Sequence, residues 1–144
     1  MYLNFLVIFL TNIFLFTSFT FSDENLSVYE LPNSLTNIEG NEKNGRIIVL
    51  SRQGNCIACH KIPGVEDIFQ GNIGPSLAGV GNRYTIAELR LRLVDPYVIN
   101  SDTVMPAYYK KKGLIRVEKK YINQSILSEQ QIEDVISWLA TLKD

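Results

Sequence analysis

Histidine, cysteine and methionine are scarce in this chain of 144 residues, which has one histidine, two cysteines and two methionines. It contains no internal repeat, no P-loop and no dinucleotide-binding fingerprint. Acidic and basic residues almost balance, and a net charge of −1 does not favour a nucleic-acid-binding protein. Any chemistry that this chain carries must therefore rest on very few residues.

Both cysteines and the single histidine lie in one stretch, Cys56-Ile57-Ala58-Cys59-His60. The pattern C-x-x-C-H is the attachment signature of a c-type haem, in which each thiol adds to a haem vinyl group and the histidine binds the iron. A thioredoxin-type redox pair and a zinc site are the alternatives. The flanks predict helix and loop instead of a βαβ unit, and no second C-x-x-C is present, so haem c is favoured. A His60 committed to iron leaves no histidine for a serine or cysteine triad.

The second axial ligand has one candidate. Apart from Met1, Met105 is the only methionine, and it precedes Pro106 in a predicted loop. A thioether opposite an imidazole is the ligation of electron-transfer cytochromes c, and it raises the reduction potential. A lone methionine is often core filler, but no apolar helical stripe surrounds this one. The sequence therefore predicts that His60 and Met105 bind the iron.

The segment Gly74-Pro75-Ser76-Leu77 has two interpretations. A ligating imidazole usually donates its other N–H to an acceptor such as a backbone carbonyl. In the functional interpretation the carbonyl of Pro75 orients His60, and Leu77 packs on the haem face. The alternative is an ordinary Gly-Pro turn, and the spacing alone favours that turn.

The first residues, Met1 to Phe21, form an apolar run without a charged side chain. We interpret residues 1–22 as a secretory signal peptide cleaved after Ser22. The run has no Lys or Arg before it and is long enough to span a bilayer, so an uncleaved membrane anchor stays open. Either way the folded part lies outside the cytoplasm, in agreement with a haem attached after export.

The remaining chain is predicted to be all-α: a flexible lead-in over residues 23–41, then one domain over residues 42–144 organised around the covalent haem. Apolar spacing predicts a helix from Glu42 to Gln53, in which Gly45 marks close contact with another helix. Capping boxes that begin at Thr85 and Ser128 predict two more helices. Residues 61–81 and 97–113 are predicted loops.

Two levels of resemblance follow from these residues. Residues 42–142 resemble a class I cytochrome c, with a helix before C-x-x-C-H, a Gly-Pro turn, a methionine loop and a C-terminal helix. More narrowly, the chain resembles the SoxX family, the mono-haem subunits of the SoxAX cytochromes of sulfur-oxidising bacteria. The segments that carry this second resemblance are residues 54–60, 70–75, 79–84, 94–96, 103–109, 126–127, 132–136 and 139–142.

The resemblance implies a periplasmic electron-transfer protein that forms a heterodimer with a SoxA-like cytochrome. Such a pair, an L-cysteine S-thiosulfotransferase, couples thiosulfate to a cysteine of a SoxYZ-like sulfur carrier, and the electrons pass to another cytochrome c. The thiol chemistry would belong to the SoxA-like subunit, so this chain would be its non-catalytic electron acceptor. A free cytochrome c that shuttles electrons to a terminal oxidase is the alternative. Lys110, Lys111 and Lys112 are either a docking face for an acidic partner or a solvated loop.

Overall fold

The computed structural model describes residues 30–66 and 69–143. The predicted signal peptide, residues 1–22, lies outside the described residues. The described residues form four α-helices: α1 (Glu42–Leu50), α2 (Val80–Arg83), α3 (Ile86–Val94) and α4 (Glu129–Thr141). Short 3-10 turns occur at Cys56–Ala58, Pro96–Val98 and Lys119–Tyr121. The described part of the chain has no β-strand and no helix long and apolar enough to cross a membrane.

The helix ends follow local polar groups. The Thr85 and Ser128 hydroxyls accept hydrogen bonds from the third N–H groups of α3 and α4, and the side chains of Glu88 and Gln131 bond back to the caps. Both predicted capping boxes are thereby confirmed. They satisfy backbone donors that the first helical turn leaves unpaired.

Two predicted boundaries were wrong. Helix α1 ends at Leu50 and not at Gln53, because the Ser51 hydroxyl bonds the Ile48 carbonyl at 2.7 Å and turns the chain out of the helix. The predicted loop over residues 61–81 is also too long, since Val80 begins α2. Glycine and proline punctuation concealed this helix, which has a single turn.

Helices α1 and α4 cross at Gly45. A Cβ atom at this position would overlap the Asp134 carbonyl group and lie 2.9 Å from the Cβ of Trp138. The close contact predicted from the glycine is therefore confirmed. Around the crossing, α4 contributes one apolar face to the core. Its fully buried members are Ile132, Val135 and Ile136, and Trp138 and Leu139 are also buried.

The end of the lead-in is hydrogen-bonded to the domain. The Leu31 N–H donates to the Ala87 carbonyl at 3.0 Å, and the Arg90 guanidinium donates to the Leu31 carbonyl at 2.7 Å. The Leu35 N–H donates to Glu133 at 3.1 Å. Arg90 and Glu133 form a two-point ion pair at 2.7 and 2.9 Å, with side chains only 5% and 7% exposed. Residues 31–35, which the sequence placed in the lead-in, are thus tied to α3 and α4.

Burial by itself would raise the pKa of Glu133, but the Arg90 guanidinium and the Leu35 N–H more than offset it, so the pKa is lowered from its ordinary value of 4.5. We expect Glu133→Leu to destabilise the folded holoprotein by roughly 3–5 kcal/mol, because it leaves a buried cation unpaired. The pair's contribution is complete above pH 4.5 and is lost as the pH falls through the lowered folded-state pKa. Denaturant melts at pH 7 and at lower pH measure both effects.

The matched control is Glu118→Leu, which removes the exposed ion pair between Glu118 and Lys120. Solvent screens that pair, so this variant is expected to melt like the wild type at every pH. Equal losses of unfolding free energy in the two variants would show that burial does not strengthen the Arg90–Glu133 pair.

Candidate haem site

A tight turn places the two thiols and the imidazole together. Asn55 has a left-handed backbone, with φ 48°, and leads into the 3-10 turn at Cys56–Ala58. The N–H groups of Cys59 and His60 both donate to the Cys56 carbonyl, at 3.1 and 2.8 Å. Both sulfurs and the imidazole consequently line the same cavity.

The segment after the turn holds the imidazole. The Nδ1 of His60 lies 2.7 Å from the Pro75 carbonyl oxygen, which can only accept a hydrogen bond. With a proton on Nδ1, that nitrogen donates and Nε2 is left free to bind a metal. Gly74 lies directly against the ring: a Cβ there would be 2.7 Å from Nδ1 and 2.9 Å from Nε2. A glycine at this point therefore lets the backbone approach the imidazole closely enough to bond it.

Leu77 and Met105 complete the predicted set. Leu77 is buried, and its N–H donates to the Lys61 carbonyl at 2.9 Å. Met105 is partly buried, and its N–H donates to the Thr103 hydroxyl at 3.2 Å, which shapes the loop around the thioether. Leu77, His60 and Met105 all line one cavity. The fold thus brings together predicted site residues that are up to 45 positions apart in the chain.

Two adjoining cavities share His60, Pro75, Thr103 and Met105 in their walls. One has a volume of about 210 Å³, and the other, which contains the cysteines, about 220 Å³; both are partly open to solvent. Most of the remaining wall of the first cavity is apolar. Its apolar side chains are Leu77, Val80, Leu89, Leu93, Pro96, Ile99 and Leu139. Ligand pockets in proteins span about 300–1,000 Å³, and the two adjoining cavities together reach this range, so there is room here for a large flat apolar group.

Two arginines beside this cavity were not singled out from the sequence. Arg83 donates to the Ser76 carbonyl at 2.7 Å and also to the Ala78 carbonyl. The guanidinium of Arg92 stacks on the ring of Tyr84, 3.7 Å from its centroid. Both arginines line the first cavity, whereas the cysteines line the second. The cysteines would bond the vinyl groups of haem, and haem carries its carboxylates on the side away from those groups. Two fixed cations in the wall without cysteines therefore suit the carboxylates.

The electrostatics of the cysteines differ from those of a redox pair. Burial raises the pKa of the Cys56 thiol to about 11, although the neighbouring Tyr108 hydroxyl opposes this shift. Burial likewise raises the pKa of Tyr108. Reactive C-x-x-C pairs depend on a lowered thiol pKa, so Cys56 has the opposite of what a thioredoxin-type site needs. Within residues 30–66 and 69–143, no three His, Cys, Asp or Glu side chains form a group that could hold a metal ion.

Haem c requires a particular set of donor groups and an apolar space. Both are found here: thiols for two thioether bonds, an imidazole whose Nδ1 is fixed, an available thioether and an apolar cavity. The helices around them define a class I c-type cytochrome with one covalently attached haem c and its iron. The chain belongs to the cytochrome c family, whose profile matches residues 46–143.

Among solved structures, the chain is similar to one in the crystal structure of SoxXA from P. pantotrophus. The two share 37% sequence identity with a TM-score of 0.74, over 81% of this chain and 92% of the other. No curated protein matches the chain. The family match and this likeness confirm three predictions: the all-α class I cytochrome c fold, the haem c cofactor and the SoxX-like character of the chain.

Proposed function

We propose that this protein is the electron-accepting subunit of a periplasmic, thiosulfate-oxidising SoxAX-type complex. The observation that carries the proposal is the likeness, at 37% identity and a TM-score of 0.74, to a chain of SoxXA. In this proposal a SoxA-like cytochrome is the partner in a heterodimer. The complex couples thiosulfate to a cysteine of a SoxYZ-like carrier, and two electrons are released.

The residues of this chain suit electron transfer and not thiol chemistry. When bound, haem c supplies a carrier of one electron at a time. Cys56 and Cys59 would anchor it, and His60 and Met105 would bind its iron, so that no ligand position would remain for a substrate. No cysteine remains for the carrier's sulfur chemistry, so that step belongs to the partner. Two electrons are released and one haem carries one electron at a time, so the electrons would pass on to an acceptor, another cytochrome c.

The lysine cluster contributes less free charge than its sequence indicates. Lys110 pairs with Asp95 at 2.6 Å, and the ammonium of Lys111 lies 5.0 Å from the centre of the Tyr109 ring. Lys111 and Lys112 are exposed. Steering of an acidic partner would therefore depend mainly on Lys111 and Lys112.

The test of this function uses the tagged full-length protein, purified gently from its own host. We expect a second haem protein in equal amount, and reduction of the haem when thiosulfate and the SoxYZ-like carrier are added together. The same preparation without the carrier is the control and should stay oxidised. A monomer that is not reduced by thiosulfate and carrier, but that exchanges electrons with respiratory partners, would support the alternative, a free cytochrome c that serves a terminal oxidase.

Export to the periplasm is part of the proposal, because c-type haem is attached outside the cytoplasm. The amino-terminal residue of the same purified protein distinguishes the two forms of the leader. A chain that begins at Asp23 indicates a cleaved signal peptide, and one that retains Met1 indicates an anchor.

A further inference from the structure

Tyr108 links the two segments that carry the haem ligands. Its side chain is buried, with 6% of its surface exposed. The hydroxyl donates to the Gly54 carbonyl at 2.6 Å, and Gly54 is itself buried. Gly54 lies two residues before Cys56, and Tyr108 lies three residues after Met105. One side-chain hydrogen bond therefore joins the methionine loop to the haem-attachment turn.

The backbone of Tyr108 is held as well. Its N–H donates to the Leu93 carbonyl at the end of α3, at 2.9 Å, and its carbonyl accepts from the Leu127 N–H at 3.0 Å. Between Met105 and Tyr108 lie only Pro106, whose ring restricts the backbone, and Ala107, which is buried. A displacement of the Met105 backbone by several ångströms must therefore strain or break the bonds of Tyr108.

We infer that Tyr108 is a positioning residue whose hydroxyl bond to Gly54 holds Met105 at the haem iron and so limits access of external ligands to the iron. The inference rests on the proposed role of Met105 as axial ligand. Loss of the hydroxyl would leave the buried Gly54 carbonyl without this hydrogen-bond partner. The lost bond destabilises the closed loop, in which the methionine is on the iron, and does not destabilise the open loop. The open loop, with the methionine off the iron, then becomes more populated.

The experiment is cyanide binding to the ferric holoprotein. Cyanide can bind only while the methionine is displaced, so its rate reports how often the loop opens. For Tyr108→Phe we expect binding about tenfold faster than in the wild type, the factor that one buried hydrogen bond supplies. The weak sulfur-to-iron absorption band should also lose intensity or disappear on milder heating.

Tyr109→Phe is the matched control. It removes a hydroxyl from the next residue, which bonds Glu129 at the start of α4 instead of Gly54. Its cyanide rate is expected to equal that of the wild type. Ile136→Val, in the core face of α4, is a second control, because it lowers global stability without removing a hydrogen bond of the loop. If Ile136→Val accelerates cyanide binding as much as Tyr108→Phe, Tyr108 is only a stabilising residue and the inference is overturned.

The absorption spectrum of the wild type distinguishes failure of the Tyr108 role from failure of the Met105 ligand assignment. If the wild type has no sulfur-to-iron band, Met105 is not the ligand and the inference is lost with that assignment. If the band is present and Tyr108→Phe binds cyanide at the wild-type rate, only the role of Tyr108 is lost. If the Tyr108→Phe variant cannot be isolated with haem, amide hydrogen exchange at Tyr108 of the wild type is measured in place of the cyanide rate of the variant. Opening measured at this amide must be at least as fast as the limiting rate of cyanide binding, and slower opening overturns the inference.

Discussion

Replacing Met105 with alanine is expected to lower the reduction potential of the holoprotein by on the order of 0.1–0.2 V. A thioether stabilises the reduced iron, and axial ligands together span roughly 0.8 V of haem potentials. The truncated side chain cannot reach the iron, so one axial position becomes open to water or to small ligands. The same variant should lose the sulfur-to-iron absorption band.

Redox titration and visible spectra of the ferric protein measure these effects. Val104→Ala is the matched control, since it truncates the neighbouring residue of the same loop, whose side chain is 75% exposed. That variant is expected to keep the potential and the band. An unchanged potential and band in Met105→Ala would show that another group is the sixth ligand, although Met105 lies at the wall of the cavity with His60.

The largest effect on stability is expected for the double variant Cys56→Ala, Cys59→Ala, which cannot attach haem. The cavity of about 210 Å³ lies beside the core residues Leu77, Val80 and Leu139. Left empty, this volume would cost about 5 kcal/mol, at roughly 24 cal/mol per Å³. Small domains have a total stability of about 5–15 kcal/mol. We therefore expect the haem-free chain to be poorly folded.

Thermal melts followed by circular dichroism measure this result, and loss of a cooperative transition is expected. A second double variant within the same turn, Ile57→Val with Ala58→Ser, keeps both thiols and should load haem and melt like the wild type. A native-like cooperative melt of the haem-free double cysteine variant would contradict the view that the cofactor completes the core.

Much of the site could be predicted because its chemistry is contiguous in the chain. The haem-attachment residues lie within five consecutive positions, from Cys56 through Cys59 to His60. Their predicted roles depend on residue type and spacing alone. The capping boxes at Thr85 and Ser128 are equally local, since cap and partner are three residues apart. Met105 could be proposed by elimination. These features made the fold class, the family and the cofactor accessible from the sequence.

Other features depend on contacts between distant residues. The Pro75 carbonyl lies close to His60 only because the chain after His60 folds back on it, and the sequence alone favoured an ordinary turn at this point. Arg83 and Arg92 were missed because no spacing shows that α2 and α3 border the cavity. The end of α1 depends on one serine hydroxyl, which a hydrophobic pattern does not detect.

The sequence by itself determined which atoms can hold a haem, because thioether attachment and axial ligation require particular side chains. Only the tertiary structure decided how those side chains are oriented and how firmly they are held. The Tyr108 hydroxyl and the Gly54 carbonyl are 54 residues apart, and any buried tyrosine could in principle bond any nearby carbonyl. Backbone carbonyls are the same at every position, so only the path of the folded chain selects the one that is bonded.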